Sequence, residues 1–253
     1  MLTSRLSKNV FLACFLLSAN HGFSQTSAGF ELSSKLGFYE YKEPGYMKID
    51  GPVLGLGVKY SHALGATDFI QIDASGMAGF LDYQGSGNLN NTENFSTDVR
   101  ALYLRNQTLS NGTVITPYAG LGYRFLYNDL RGNTSTGAGG YRRLSHYVYL
   151  PVGLLTYITD GYGNKIELNG EIGILIRGYQ QSYLSDFYSN VSDVKNEQKT
   201  GHNLRVSALY QFDSFSIGPY YNRWNIGRSS VENNWVEPKN STNEFGLMVK
   251  MKY

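Results

Sequence analysis

Residues 165–183 change character at almost every step. Ile166, Leu168, Ile172, Ile174 and Ile176 alternate with Glu167, Asn169, Glu171, Gly173 and Arg177. A two-residue period is the mark of a strand with one apolar and one polar face. Ten segments share it, near 29–42, 52–64, 69–84, 98–109, 114–129, 144–159, 165–183, 203–213, 215–228 and 243–253. Most are longer than the roughly 5–6 residues usual in soluble strands, and reach the roughly 9–11 needed to cross a bilayer at a tilt. Their connections alternate in length. GATD, SNGT, DGYGN and an Asp-Ser pair are tight, whereas the stretches at 86–97, 131–143, 185–202 and 229–242 are long and polar, with a shorter one at 42–51. Four short and five longer connections are what ten antiparallel strands need when both ends face one side.

The first 24 residues read as a cleaved export signal. Arg5 and Lys8 form a basic start, VFLACFLLSA an apolar core, and cleavage is expected after Ser24. The single cysteine, Cys14, lies inside that core, so the mature chain is expected to lack thiols and disulfides. Setting aside Arg5 and Lys8 from the 22 cations leaves a chain balanced by its 20 anions, which argues against a nucleic-acid partner. No apolar run is long enough for a membrane helix.

An exported chain with this pattern is either a soluble sandwich or a membrane barrel. Long strands and alternating connection lengths favour the barrel, as do small residues interleaved with charges on the polar faces. Tyr39, Tyr41, Tyr83, Tyr123, Tyr127, Tyr162, Tyr179 and Tyr183 fall near strand ends, where interfacial girdles are expected. The expectation is all-β: a closed, antiparallel, ten-stranded transmembrane β-barrel over residues 25–253. It has tight periplasmic turns, longer extracellular loops and a monomeric state.

The chain closes with EFGLMVKMKY. Glu244, Gly246, Val249, Met251 and terminal Tyr253 resemble the C-terminal signal of bacterial outer-membrane β-barrels. That resemblance implies closure of the last strand on the first, and barrel assembly machinery, periplasmic chaperones, membrane lipid and lipopolysaccharide as partners. IGPYYNRW (217–224) with EPKNSTNEFGL (237–247) is similar to the last hairpin of Opc-type opacity adhesins. This second resemblance implies a host or surface ligand at the outer loops. Here those loops mix Lys195, Lys199 and Lys239 with Asp186, Asp193, Glu197, Glu232 and Glu237.

Ten strands at ~4.8 Å spacing and ~40° tilt give a backbone radius of about 10 Å, which side chains largely fill. The expected lumen charges are Glu31, Lys35, Lys59, Asp73, Arg124, Glu167, Glu171, Arg177, Arg205 and Lys250. They would form either an internal ladder of ion pairs or the lining of a narrow channel. Arg100 and Arg223 are expected outside, as contacts for lipopolysaccharide phosphates.

Catalytic signals are thin. An omptin-like rim protease would draw on Asp82 and on His202 with Asp186 or Asp193, but a paired-acid motif is missing. A lipid-cleaving site needs a serine and a histidine together, and adjacent Ser145 and His146 point to opposite faces of a strand. His62, His146 and His202 have no metal-ligand spacing, so neither metal nor cofactor is expected. The resulting expectation is a non-enzymatic outer-membrane surface protein, structural or adhesive, acting through its outer loops. A narrow porin-like channel is the alternative, and an omptin-like protease a third.

Overall fold

The structure is a computed structural model that describes residues 26–253, apart from Gly161 and Tyr188. The expected export signal lies outside the described residues. Ten long strands form the wall: β1 (Gly29–Glu43), β2 (Met47–Ala63), β3 (Asp68–Gln84), β4 (Asn88–Arg105), β5 (Val114–Asn133), β6 (Gly139–Thr159), β7 (Lys165–Ser182), β8 (Gly201–Gln211), β9 (Ser216–Ile226) and β10 (Asn240–Lys252). Each pairs antiparallel with its sequence neighbours, and β10 returns to β1, so the sheet closes into an up-and-down barrel.

Closure is tightest where Gly37 of β1 faces Gly246 of β10. A Cβ on Gly246 would run into the Leu36 carbonyl and the Gly37 Cα. Gly246, expected as part of an assembly signal, thus has a packing reason of its own. Val249 and Met251 lie on the same seam, opposite Ser34 and Leu32, and the Tyr253 backbone exchanges two hydrogen bonds with Phe30.

Alternation sorts the faces. On β1, Phe30, Leu32, Leu36 and Phe38 point outward, followed by Glu40 and Lys42. On β2 the outward series runs from Tyr60, Val58, Leu56 and Leu54 to Asp50 and Lys48. An apolar belt therefore surrounds the lower barrel. At ~40° tilt, the span from Phe30 to Phe38 rises about 20 Å, close to the ~25 Å band of membrane barrels. Above it the wall continues with charged residues on its outer side.

That upward extension corrects the expected loops. Stretches 86–97, 131–143 and 42–51 are mostly strand, and the connections above them shrink to 44–46, 85–87 and 134–138. Only 183–200 and 227–239 remain long. The first contains a short helical turn, Leu184–Asp186, and a strand, Val194–Gln198, that pairs with the top of β7. The second folds into a small hairpin, Val231–Glu232 against Trp235–Val236, turned by Asn233 and Asn234 at φ 50 and 65. Asparagine tolerates this left-handed conformation better than most residues.

The tyrosine girdle needs a similar correction. Tyr123, Tyr127 and Tyr179 lie on the outward face, but Tyr39 and Tyr41 point inward and are buried with Ile49, Val53, Met77, Leu81 and Leu130. A second internal cluster gathers Leu126, Tyr147, Tyr149, Leu175, Trp224 and Ile226. The upper lumen is thus packed like a protein core.

Candidate functional site

The lumen holds polar side chains at four heights. Nearest the periplasm, Lys59 Nζ lies 2.8 Å from Glu31 Oε1, and Lys250 Nζ lies 3.5 Å from that same oxygen and 2.7 Å from Glu167 Oε1. Strands β1, β2, β7 and β10 are tied together by this quartet. Lys59 stands opposite Asp73 in the register.

At mid-height, Arg100 bonds both Asp73 and Glu171. Arg205 reaches Asp98 Oδ2 at 3.2 Å and Glu171 Oε1 at 3.8 Å. Tyr118 and Tyr149 donate their hydroxyls to Glu171 and Asp98, at 3.1 and 2.9 Å. Lys35 stands 5.1 Å from the Tyr220 ring. A cavity of about 110 Å³ lies among Lys35, Lys59, Asp73, Arg205 and Lys250, large enough for several waters.

Higher still, Arg124 on β5 bonds Glu244 on β10 at 2.8 Å. These strands are halfway round the ring from one another, so the pair is a bar across the lumen. Trp224 lies under the guanidinium at 4.9 Å, and Asn222 donates to the other Glu244 oxygen at 2.8 Å. Both charges are nearly inaccessible, at 2% and 6% of their side-chain surface. Glu244 therefore combines its expected place in the C-terminal signal with an internal ion pair.

The mouth is closed by a second bar. Arg143 on β6 bonds Glu43 on β1, again halfway round the ring, and also Glu237 in the 227–239 connection. Tyr41 donates to Glu43 at 2.7 Å. Two carboxyls share one guanidinium. Burial alone would raise Glu43, but Arg143 and hydrogen bonds hold it below its usual range. Burial also pushes Glu237 up; Arg143 opposes this, the Glu43 charge adds to it, and the carboxyl settles at about 7. Both lie above the apolar belt.

Two expected positions are corrected. Arg100 does not face lipid: its alternation places it inside, buried among Asp73, Asp98 and Glu171. Arg177 does not face the lumen. Val148 pairs with Arg177 but Tyr149 with Leu175, so Ile176 is an extra residue on β7. This bulge turns Arg177 outward, where its side chain is 74% exposed. Arg223 is on the outward face above the belt, hydrogen-bonded to Asn225 and Asn243. The remaining expected lumen charges point inward. Sequence reasoning missed Asp98, Glu43, Arg143 and Glu237. The first three share the inward alternation of their strands, whereas Glu237 sits in a loop where no alternation could reveal it.

The catalytic constellations do not assemble. Asp82 is exposed on β3, accepting a bond from the Asn91 backbone. His202 is exposed on β8, halfway round the barrel, beside Asn225. Ser145 points inward to Gln180, whereas His146 points outward and stacks on Tyr179. His62 is exposed near the periplasmic end of β2. Among the described residues no histidine faces the lumen, and no group of metal-ligating side chains is present.

No family model matches the sequence, and no curated protein matches it. Solved structures do. The outer membrane protease OmpT from Escherichia coli is similar with a TM-score of 0.59 and 10% identity, over 93% of this chain and 100% of that one. The translocator domain of the autotransporter NalP from Neisseria meningitidis (TM-score 0.43, 9% identity, 90% of each chain) is more distant. So is an outer membrane channel from Pseudomonas putida F1 (TM-score 0.42, 9% identity, 93% of this chain and 100% of that one). At such identities the likeness is one of fold. Together with the closed ten-stranded ring and its apolar belt, the likeness to OmpT identifies this chain as having the fold of an outer-membrane β-barrel.

Proposed function

We propose that this protein is a sealed, non-enzymatic barrel of the bacterial outer membrane, whose work is done by the tall extracellular wall and its two long outer connections. The observation that carries this reading is the Arg124–Glu244 bar across the lumen, beneath the second bar from Arg143 to Glu43 and Glu237. An open path for solutes would require both bars to break. Removing the partner of a buried charge costs roughly 3–5 kcal/mol, so neither opens readily.

The role as a surface or adhesion-type protein rests on what projects above the rim. The 231–236 hairpin presents Val231 and Trp235 to solvent, and its base is tied down. Asn196 donates to the Ser230 and Trp235 carbonyls, both at 3.1 Å. A small, anchored hairpin loses little entropy on meeting a partner. The protease reading draws only on the fold shared with OmpT; the outward position of every described histidine supports leaving it aside.

Single-channel recording of the refolded protein in planar bilayers tests the sealed barrel. The expected result is silence from protein that still shows the heat-modifiable gel migration of a folded barrel. Reproducible unitary current steps from the wild type would reject the reading and install the narrow channel.

A further inference from the structure

The bulge in β7 has a consequence on the lipid side of the wall. Arg177 and Ile176 are both turned outward at the upper edge of the apolar belt. Arg177 joins a groove of about 460 Å³ lined by Tyr123, His146, Val148, Tyr179 and Lys195. The groove's frame is pre-set. His146 stacks on Tyr179 at 4.4 Å, and its Nδ1 is 2.6 Å from the Tyr123 hydroxyl. Lys195 Nζ sits 3.7 Å over the Tyr179 ring and has no ion-pair partner among the described residues. The one acid nearby, Glu197, is held between Arg177 at 2.8 Å and Lys199 at 3.2 Å.

The outer collar is also lopsided. From β7 to β9, the 183–200 connection included, it carries Arg177, Lys195, Lys199 and Arg223 against Asp186, Asp193 and Glu197, and Asp186 is already paired with Arg142. From β1 to β4 it carries Glu40, Asp50, Asp82 and Glu93 against Lys42 and Lys48. An anion in the surrounding leaflet is drawn to the first arc and repelled by the second.

We propose that this groove is a headgroup site for a phosphorylated glycolipid of the outer leaflet. Arg177 and Lys195 take the phosphate, Tyr179 and Tyr123 flank the sugar, and the acyl chains lie on Val148, Ile174 and Ile176 below. A lipid is favoured over a soluble anion because the groove runs directly into the apolar belt. Arginine supplies the planar fork that phosphate accepts, and the aromatic rings suit the interfacial depth. The site goes beyond the sealed-barrel reading and does not depend on it, because it lies wholly on the outer face.

The test uses the full-length mature protein, refolded in zwitterionic detergent and mixed with bis-phosphorylated lipid A or its dephosphorylated form. Retention is read by native mass spectrometry. The wild type is expected to prefer the phosphorylated form by about tenfold or more, and the R177A/K195A variant to lose the preference. E197Q, which removes the competing acid, is expected to strengthen it. All these side chains are outside the lumen, so the variants are expected to fold, which gel migration checks. No preference in the wild type, or an unchanged one in R177A/K195A, overturns the proposal. Equal displacement by inorganic phosphate at the lipid's concentration also overturns it, by showing a plain phosphate site.

Discussion

Replacing Glu237 with glutamine should remove a pH dependence that the wild-type barrel carries between pH 5 and 8. The Glu237 carboxyl has its ordinary value near 4.5 when the connection is released, and about 7 when it is buried against Glu43 and Arg143. A raised value favours the closed form below pH 4.5, and that advantage is lost as pH rises through 7. Integrating between pH 5 and 8 gives a loss of about 2.5 kcal/mol for the wild type. Glutamine keeps the shape and the neutral state, so its stability should stay flat from this cause. Glu43 does not confuse the result. Its carboxyl is held below the usual range, so its contribution is lost only as pH falls beneath about 4.5. Every other titratable group is common to both proteins and cancels in the difference. Urea unfolding in detergent micelles at pH 5, 6, 7 and 8, on wild type and Glu237→Gln, measures that difference. Two parallel curves, with a constant gap across the window, would refute the shared-guanidinium account of the mouth.

Other outcomes follow from the lumen and the seam. Arg124→Ala leaves the Glu244 carboxylate buried without its cation and should cost roughly 3–5 kcal/mol, whereas the double variant R124M/E244M should cost clearly less; both are read by the same urea titration. Gly246→Val should prevent closure, because its side chain meets the β1 backbone at Leu36 and Gly37. Loss of the fast-migrating folded band on unheated gels would register that. Trp224→Ala empties the space beneath Arg124 and should cost about 3–5 kcal/mol. Its planar-bilayer recording should remain silent, because both ion-pair bars persist.

The architecture was legible because a membrane barrel writes contrast into its strands. Along segment seven, isoleucines meet lipid while Glu167 and Glu171 meet the lumen, and the two-residue period is unambiguous. Where the wall rises above the membrane, the contrast disappears. At 88–94 and 131–143 both faces are largely polar, so strands there read as loops. Inward tyrosines such as Tyr39 and Tyr41 were misread for a related reason. Composition places aromatic rings near strand ends, but only alternation in the true register says which side of the wall they occupy.

The number of strands, their antiparallel order, the sidedness of their connections and the closing role of the C-terminal strand are legible in the order of residues alone. These follow from local periodicity and chain connectivity. Which charges meet depends on the closed ring. Arg124 and Glu244 are 120 residues apart, and Arg143 and Glu43 are 100 apart, each joined because a ten-stranded ring brings opposite walls within the combined reach of two long side chains. Only the structure, too, turned Arg177 outward. A single extra residue on β7 inverts the alternation, and that bulge is visible in the pairing of two strands, not in the order of residues along one.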